Sequence, residues 1–254
     1  MKKARTKTPK KQIWSTVFKI FLILLWVASV VIFSQVIVGL LMLLILGKEV
    51  LLQPVPTAIY SAVSYALALA LIILLTPKII KKHPLVTRKD LGLDGLPTWT
   101  DIGLAPVGFV VSIILAMILV GIFNLFPWFD AGQTQNIGFN SYLAGFDRIV
   151  AFITLVIVAP IAEEIIFRGW LYNKLRQVLS EQVSKKLAII LSIFIVSLIF
   201  GIIHMQWNVG VNVFALSIVL CGLREITGTI YAGILVHMIK NGLAFYLLYV
   251  LGIG

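Results

Sequence analysis

The sequence predicts an all-α, polytopic bundle of about seven transmembrane spans, with room for an eighth helix. Of its 254 residues, 60% are apolar and only 12% are charged, and the mean hydropathy is +1.06. That composition belongs to membrane proteins rather than to water-soluble domains. Apolar runs of about 20 residues, enough to cross roughly 30 Å of hydrocarbon, recur along the chain. The basic residues cluster between particular pairs of these runs instead of being spread over a surface.

The elements follow in order. Residues 1–19 form a basic tail, whose KKARTKTPKK segment reads as disordered and held against anionic lipid headgroups. The first apolar run, near 20–47, is too long for a signal-peptide core and lacks a small-residue cleavage site, so it reads as a retained helix. A second span near 57–76 and a basic loop complete an N-terminal section, 20–99. The remaining section, 100–254, holds runs near 103–126, 148–167, 187–206, 209–223 and 228–251. The segment LGLDGLPTWTD is turn-rich through its glycines and proline, and PWFDAGQTQNIGFNSY carries interfacial aromatics; both read as connectors.

Charge placement sets orientation. Lys2, Lys3, Arg5, Lys7, Lys10, Lys11 and Lys19 precede or open the first span. Lys78, Lys81, Lys82, Arg88 and Lys89 lie between spans two and three, and Arg168, Lys174, Arg176, Lys185 and Lys186 follow span four. By the positive-inside rule the amino terminus is cytoplasmic and, after seven crossings, the carboxyl terminus is outside. This distribution accounts for the net charge of +11 without nucleic acid as a partner. Cys221 is the single cysteine, which excludes an internal disulfide and reads as a packing residue.

Against this background Glu163, Glu164 and Arg168 interrupt the apolar run IVAFITLVIVAPIAEEIIFRGW. A charge in hydrocarbon costs roughly 2.5–3.5 kcal/mol or more, so intramembrane carboxylates mark functional sites. Adjacent residues on a helix point about 100° apart, so the two glutamates divide their roles. Glu164 and Arg168 stand at i, i+4 in the favourable acid-before-base order and pair with each other. Glu163 is thereby left to take a proton from water as a general base. Two of the three histidines fall in later spans: Phe200 and His204 share one helix face, and so do His237 and Asn241, each pair at i, i+4. His83 lies in the basic loop and carries no such pattern. The midpoint of Glu163 and His204 falls in the polar turn SEQVSKK, so the two residues are level if both helices are continuous.

The segments EEIIFR at 163–168, FGIIH at 200–204 and HMIKN at 237–241 resemble the EExxxR, FxxxH and HxxxN motifs of the CPBP family, the CAAX-processing and bacteriocin-processing membrane proteases also called Abi proteins. The resemblance covers roughly residues 100–251. It implies an intramembrane endopeptidase with a polar cavity open toward the cytoplasm. Glu163 would be its general base, with His204 helping to activate a water. His237 and Asn241 would stabilise the oxyanion, Glu164 and Arg168 would hold the helix, and Phe200 would shape the pocket wall.

Glu163, His204 and His237 are also the candidate ligands of a zinc ion with water in the fourth position. The chain lacks HExxH, and Asn241 suits an oxyanion better than zinc, so no obligatory metal is expected. A hydrophobic or membrane-associated peptide is the expected substrate. The compact, membrane-only architecture reads as that of a multi-pass bacterial cell-membrane protein, which disfavours a prenylated substrate. Two other readings use the same residues: a non-enzymatic immunity or scaffold protein, and a transporter in which Glu163, Lys240 and the histidines relay protons.

Overall fold

Seven helices long and apolar enough to cross a membrane make up the computed structural model, which describes residues 9–77, 86–133, 139 and 143–252, with side chains from Trp14 onward. Lys78, Lys81, Lys82, His83 and half of the expected outer connector lie outside the described residues. Helix α1 runs Pro9–Leu46, a short α2 covers Lys48–Leu51 and α3 covers Pro54–Leu75. Helix α4 spans Trp99–Phe123. A compound fourth span follows: α5 (Gly145–Phe152), a π-helical stretch Ile153–Val158, α6 (Ala159–Glu164), a second π-helical stretch Ile165–Leu171 and α7 (Tyr172–Leu179). Helices α8 (Lys185–Ile202), α9 (Trp207–Thr227) and α10 (Tyr231–Tyr249) complete the bundle.

Three expectations are corrected. The N-terminal basic segment is helical from Pro9, because proline at a helix start presets φ and its missing N–H is not needed there. Residues 1–8 lie outside the described residues. The fourth span does not stop near 167 but continues to Leu179. Its polar residues find partners inside the protein: Arg168 binds Glu164, Asn173 donates to the Asp90 carbonyl and Arg176 pairs with Glu225. Glu163 therefore lies near the middle of one long helix rather than at its end. The helix carrying FGIIH closes at Ile202, and His204 sits in the turn before α9, where Met205 takes a left-handed φ of 56°.

The compound helix is the axis of the fold. Trp170, Leu171, Tyr172 and Leu175 are fully buried in a core shared with Ile23 and Val27 of α1, Ala68 and Ile72 of α3, Val196 and Phe200 of α8, and Cys221 of α9. Around the perimeter, side chains such as Leu44, Met117 and Phe194 are exposed, an apolar surface suited to lipid. Lys19 of α1 meets Glu181 at 3.2 Å, which puts the basic start of the first span and the α7–α8 turn at the same end of the bundle.

The segment before α4 is more than a connector. Leu91 is buried in the core, and its carbonyl lies 2.7 Å from where a Cβ on Gly169 would stand. Gly169→Ala would therefore force backbone against backbone. We expect it to cost about 1–3 kcal/mol, the usual penalty for overpacking. Gly103→Ala, where nothing lies within 4 Å, serves as the neutral control. Thermal unfolding of the two variants in detergent measures the difference.

Candidate active site

Pro160 shapes the helix that carries the acidic pair. A proline removes one helical hydrogen bond and crowds the carbonyl four residues earlier, here that of Val156. The chain answers with a π-helical stretch immediately upstream, Ile153–Val158, of the kind that frequently marks functional sites. The Leu155 carbonyl there accepts a hydrogen bond from Asn241 Nδ2 at 2.9 Å. Asn241 therefore helps hold α10 to the fourth span, and one of its two amide hydrogens is committed to that task.

The two glutamates stand in different surroundings. Glu164 is fully buried, and its Oε1 accepts from Arg168 Nη1 at 2.8 Å and from His237 Nδ1 at 3.1 Å. Arg168, equally buried, lies with its guanidinium 4.3 Å from the centre of the Phe200 ring. Phe200 also meets the rings of His204 and His237 edge-on, at 5.1 and 5.9 Å between centroids. It is thus the wall against which the cation and both imidazoles pack. Gly233 on α10 permits this closeness, since a Cβ there would stand 3.1 Å from Glu164 Oε2.

Glu163 keeps 16% of its side chain accessible. Its Oε1 accepts a 2.5 Å hydrogen bond from the Tyr65 hydroxyl, and its Oε2 lies 3.8 Å from His237 Nε2. Lys240, one turn along α10 from His237, is within electrostatic reach of Glu163, and so is His204. Glu163 is therefore not without partners, as the sequence suggested. With both histidines neutral, the two carboxylates balance Arg168 and Lys240.

Hydrogen bonding fixes both imidazoles. His204 Nδ1 lies 2.7 Å from the Phe200 carbonyl, and a carbonyl can only accept, so Nδ1 carries the hydrogen and Nε2 presents its lone pair. His237 Nδ1 donates to Glu164 by the same reasoning, because that carboxylate is ion-paired, and its Nε2 turns toward Glu163. The fold thus brings together Glu163, Glu164, Arg168, Phe200, His204 and His237. His237 and Asn241 do not converge as two free donors: each has a nitrogen engaged elsewhere, with Glu164 and with Leu155. Sequence reasoning missed Tyr65; its signal was a tyrosine in mid-span, in the run SAVSYALALALI.

Glu163, His204 and His237 are the candidate ligands should the site hold zinc. Among the described residues no three His, Cys, Asp or Glu side chains are grouped to hold an ion. Within these three side chains it is Glu163 Oε1 and the two Nδ1 atoms that are hydrogen-bonded, which leaves Glu163 Oε2 and both Nε2 atoms as the atoms turned to the site.

Residues 145–243 match the family model described as type II CAAX prenyl endopeptidase, Rce1-like. That description agrees with the CPBP resemblance carried by the three motif segments. The matched stretch contains all three motif segments, and at the level of the family it is an intramembrane endopeptidase domain. The match is narrower than residues 100–251 and leaves α1–α4 outside it. No curated protein and no solved structure matches the chain.

Proposed function

We propose that the protein hydrolyses a peptide bond in a hydrophobic or membrane-associated peptide, with Glu163 as general base. The observation that carries this reading is the asymmetry of the acidic pair. Glu164 is sealed by Arg168 and His237, whereas Glu163 is partly accessible, with its Oε2 toward His237 Nε2 and His204 within electrostatic reach. A water held by His204 Nε2 gives a proton to Glu163 Oε2, and the resulting hydroxide attacks the scissile carbonyl carbon. When the tetrahedral intermediate collapses, the C–N bond breaks and Glu163 returns the proton to the leaving amine.

Negative charge on the carbonyl oxygen requires donors. Asn241 has a second amide hydrogen. His237, anchored through Nδ1, becomes an Nε2–H donor if the proton gained by Glu163 is shared with it; the two atoms stand 3.8 Å apart in this structure. These steps use the protein's own groups and require no metal. Loss of cleavage on chelation, with recovery on adding Zn²⁺, would overturn that assignment.

The substrate is sought by comparing membrane proteomes and released peptides from cells carrying the parent protein or Glu163→Gln. Peptides released only by the parent support proteolysis. Identical profiles, at equal expression, refute it.

Asn241→Ala separates the two duties of this residue. Removing an oxyanion donor typically lowers turnover about a hundred- to a thousandfold, with substrate affinity little changed. Losing the bond to the Leu155 carbonyl costs roughly 1 kcal/mol of stability. Kinetics on a released peptide, with a melting curve on the same preparation, measure both; weakened binding at normal turnover would contradict the oxyanion role.

A further inference from the structure

The shortest of the polar contacts described above for the two glutamates comes from outside the matched domain. Tyr65 lies on α3, and its hydroxyl donates to Glu163 Oε1 at 2.5 Å across 98 residues of sequence. We propose that Tyr65 is a positioning residue for Glu163, so that a helix outside residues 145–243 completes the site. The proposal rests on the reading of Glu163 as the base.

Helical backbone fixes where a glutamate starts but not where its oxygens finish, because the terminal torsion of a glutamate is broad and nearly two-fold. Left to itself, the carboxylate would present either oxygen to the substrate. A phenol bound to Oε1 removes that freedom. The phenol donates and the carboxylate accepts, and hydrogen bonds to an ionised carboxylate are about twice as strong as those between neutral groups. With Oε1 held from the α3 side, Oε2 is the oxygen left facing His237 Nε2.

The charges around Glu163 favour a neutral holder. Lys240 and His237 approach it from α10 and His204 from the α8–α9 turn, while Glu164 lies next in the chain with Arg168 one turn on. A second lysine or arginine on α3 would leave this cluster with an excess positive charge in an apolar setting. A phenol orients the carboxylate and leaves the charge balance unchanged. The ring of Tyr65 also packs against the core that holds Ala68, Ile72 and Ile166, so the hydroxyl is delivered by a supported side chain.

Tyr65→Phe keeps the ring and removes the hydroxyl; Tyr60→Phe on the same helix is the control. Both are made in the full chain and purified in lipid nanodiscs. The first readout needs no substrate: labelling of Glu163 by a hydrophobic carbodiimide, which attacks protonated carboxyls, quantified by mass spectrometry. Glu163 labelling is expected to rise several-fold in Tyr65→Phe and to stay at the parent level in Tyr60→Phe. The second readout is kinetic, on a peptide released by the parent. Misplacement of a reacting group by about 1 Å can cost on the order of a hundredfold, so kcat falls by up to that factor with KM unchanged.

Unchanged labelling in Tyr65→Phe, or raised labelling with parent kcat, overturns the proposal. A fluorotyrosine at position 65 retains the donor and is expected to match the parent in both readouts. If it behaves like Tyr65→Phe, ring packing rather than the hydroxyl is responsible and the proposal falls. Should Glu163→Gln retain cleavage, the reading of Glu163 fails while the labelling still reports the contact, so the two failures are distinguishable.

Discussion

Glu163→Gln is expected to abolish cleavage of a released peptide while leaving the protein folded and as abundant as the parent. Glutamine nearly matches glutamate in shape, and its amide oxygen can still accept the Tyr65 hydrogen, so the 2.5 Å contact from α3 has a partner in the variant. It cannot take a proton from water. Loss of a general base typically costs about 10²–10⁴-fold, which in a membrane assay reads as no activity. His204→Ala removes the other group assigned to the water and belongs in the same class; because His204 sits in a turn rather than in the sealed core, it too is expected to fold. Turnover on a released peptide, with size-exclusion profiles and melting curves for parent and variants, measures the effect. Normal turnover by Glu163→Gln at equal folded yield would refute the mechanism.

What could be seen in the sequence, and what could not, follows from the range of the interactions. Seven spans were legible because crossing hydrocarbon demands a run of apolar residues, which is a local property. The pairing of Glu164 with Arg168 was legible for the same reason: it is an i, i+4 contact on one helix. The continuation of the fourth span to Leu179 was not, since Asn173 and Arg176 looked like a polar loop until the Asp90 carbonyl and Glu225 supplied partners from distant segments. Tyr65 was hidden by its separation of 98 positions from Glu163. The two π-helical stretches leave no mark in apolar periodicity, so the Leu155 carbonyl that occupies Asn241 was invisible. Spacing placed His237 and Asn241 on one face correctly but could not show that each had a structural bond to make.

Arg168→Ala is expected to lower stability by about 3–5 kcal/mol, the usual cost of stranding one member of a buried ion pair, and with it the folded yield. Glu164 is fully buried, and its remaining hydrogen bond would come from His237, which is too little to hold a carboxylate in this core. Glu164→Ala strands Arg168 over Phe200 in the same way. Arg168→Lys is not a mild change either, because lysine loses the planar group that lies 4.3 Å from that ring. The informative variant replaces both partners at once, with Glu164→Leu and Arg168→Met. Exchanging a buried ion pair for apolar residues of similar size is often neutral, so folded yield and melting temperature are expected to recover well above either single variant. Cleavage is not expected to recover with them. His237 Nδ1 would have lost its acceptor, and the imidazole would no longer be fixed with Nε2 toward Glu163. A double variant that is both stable and fully active would show that Glu164 and Arg168 serve the fold alone; one that is stable and impaired places His237 under the control of Glu164.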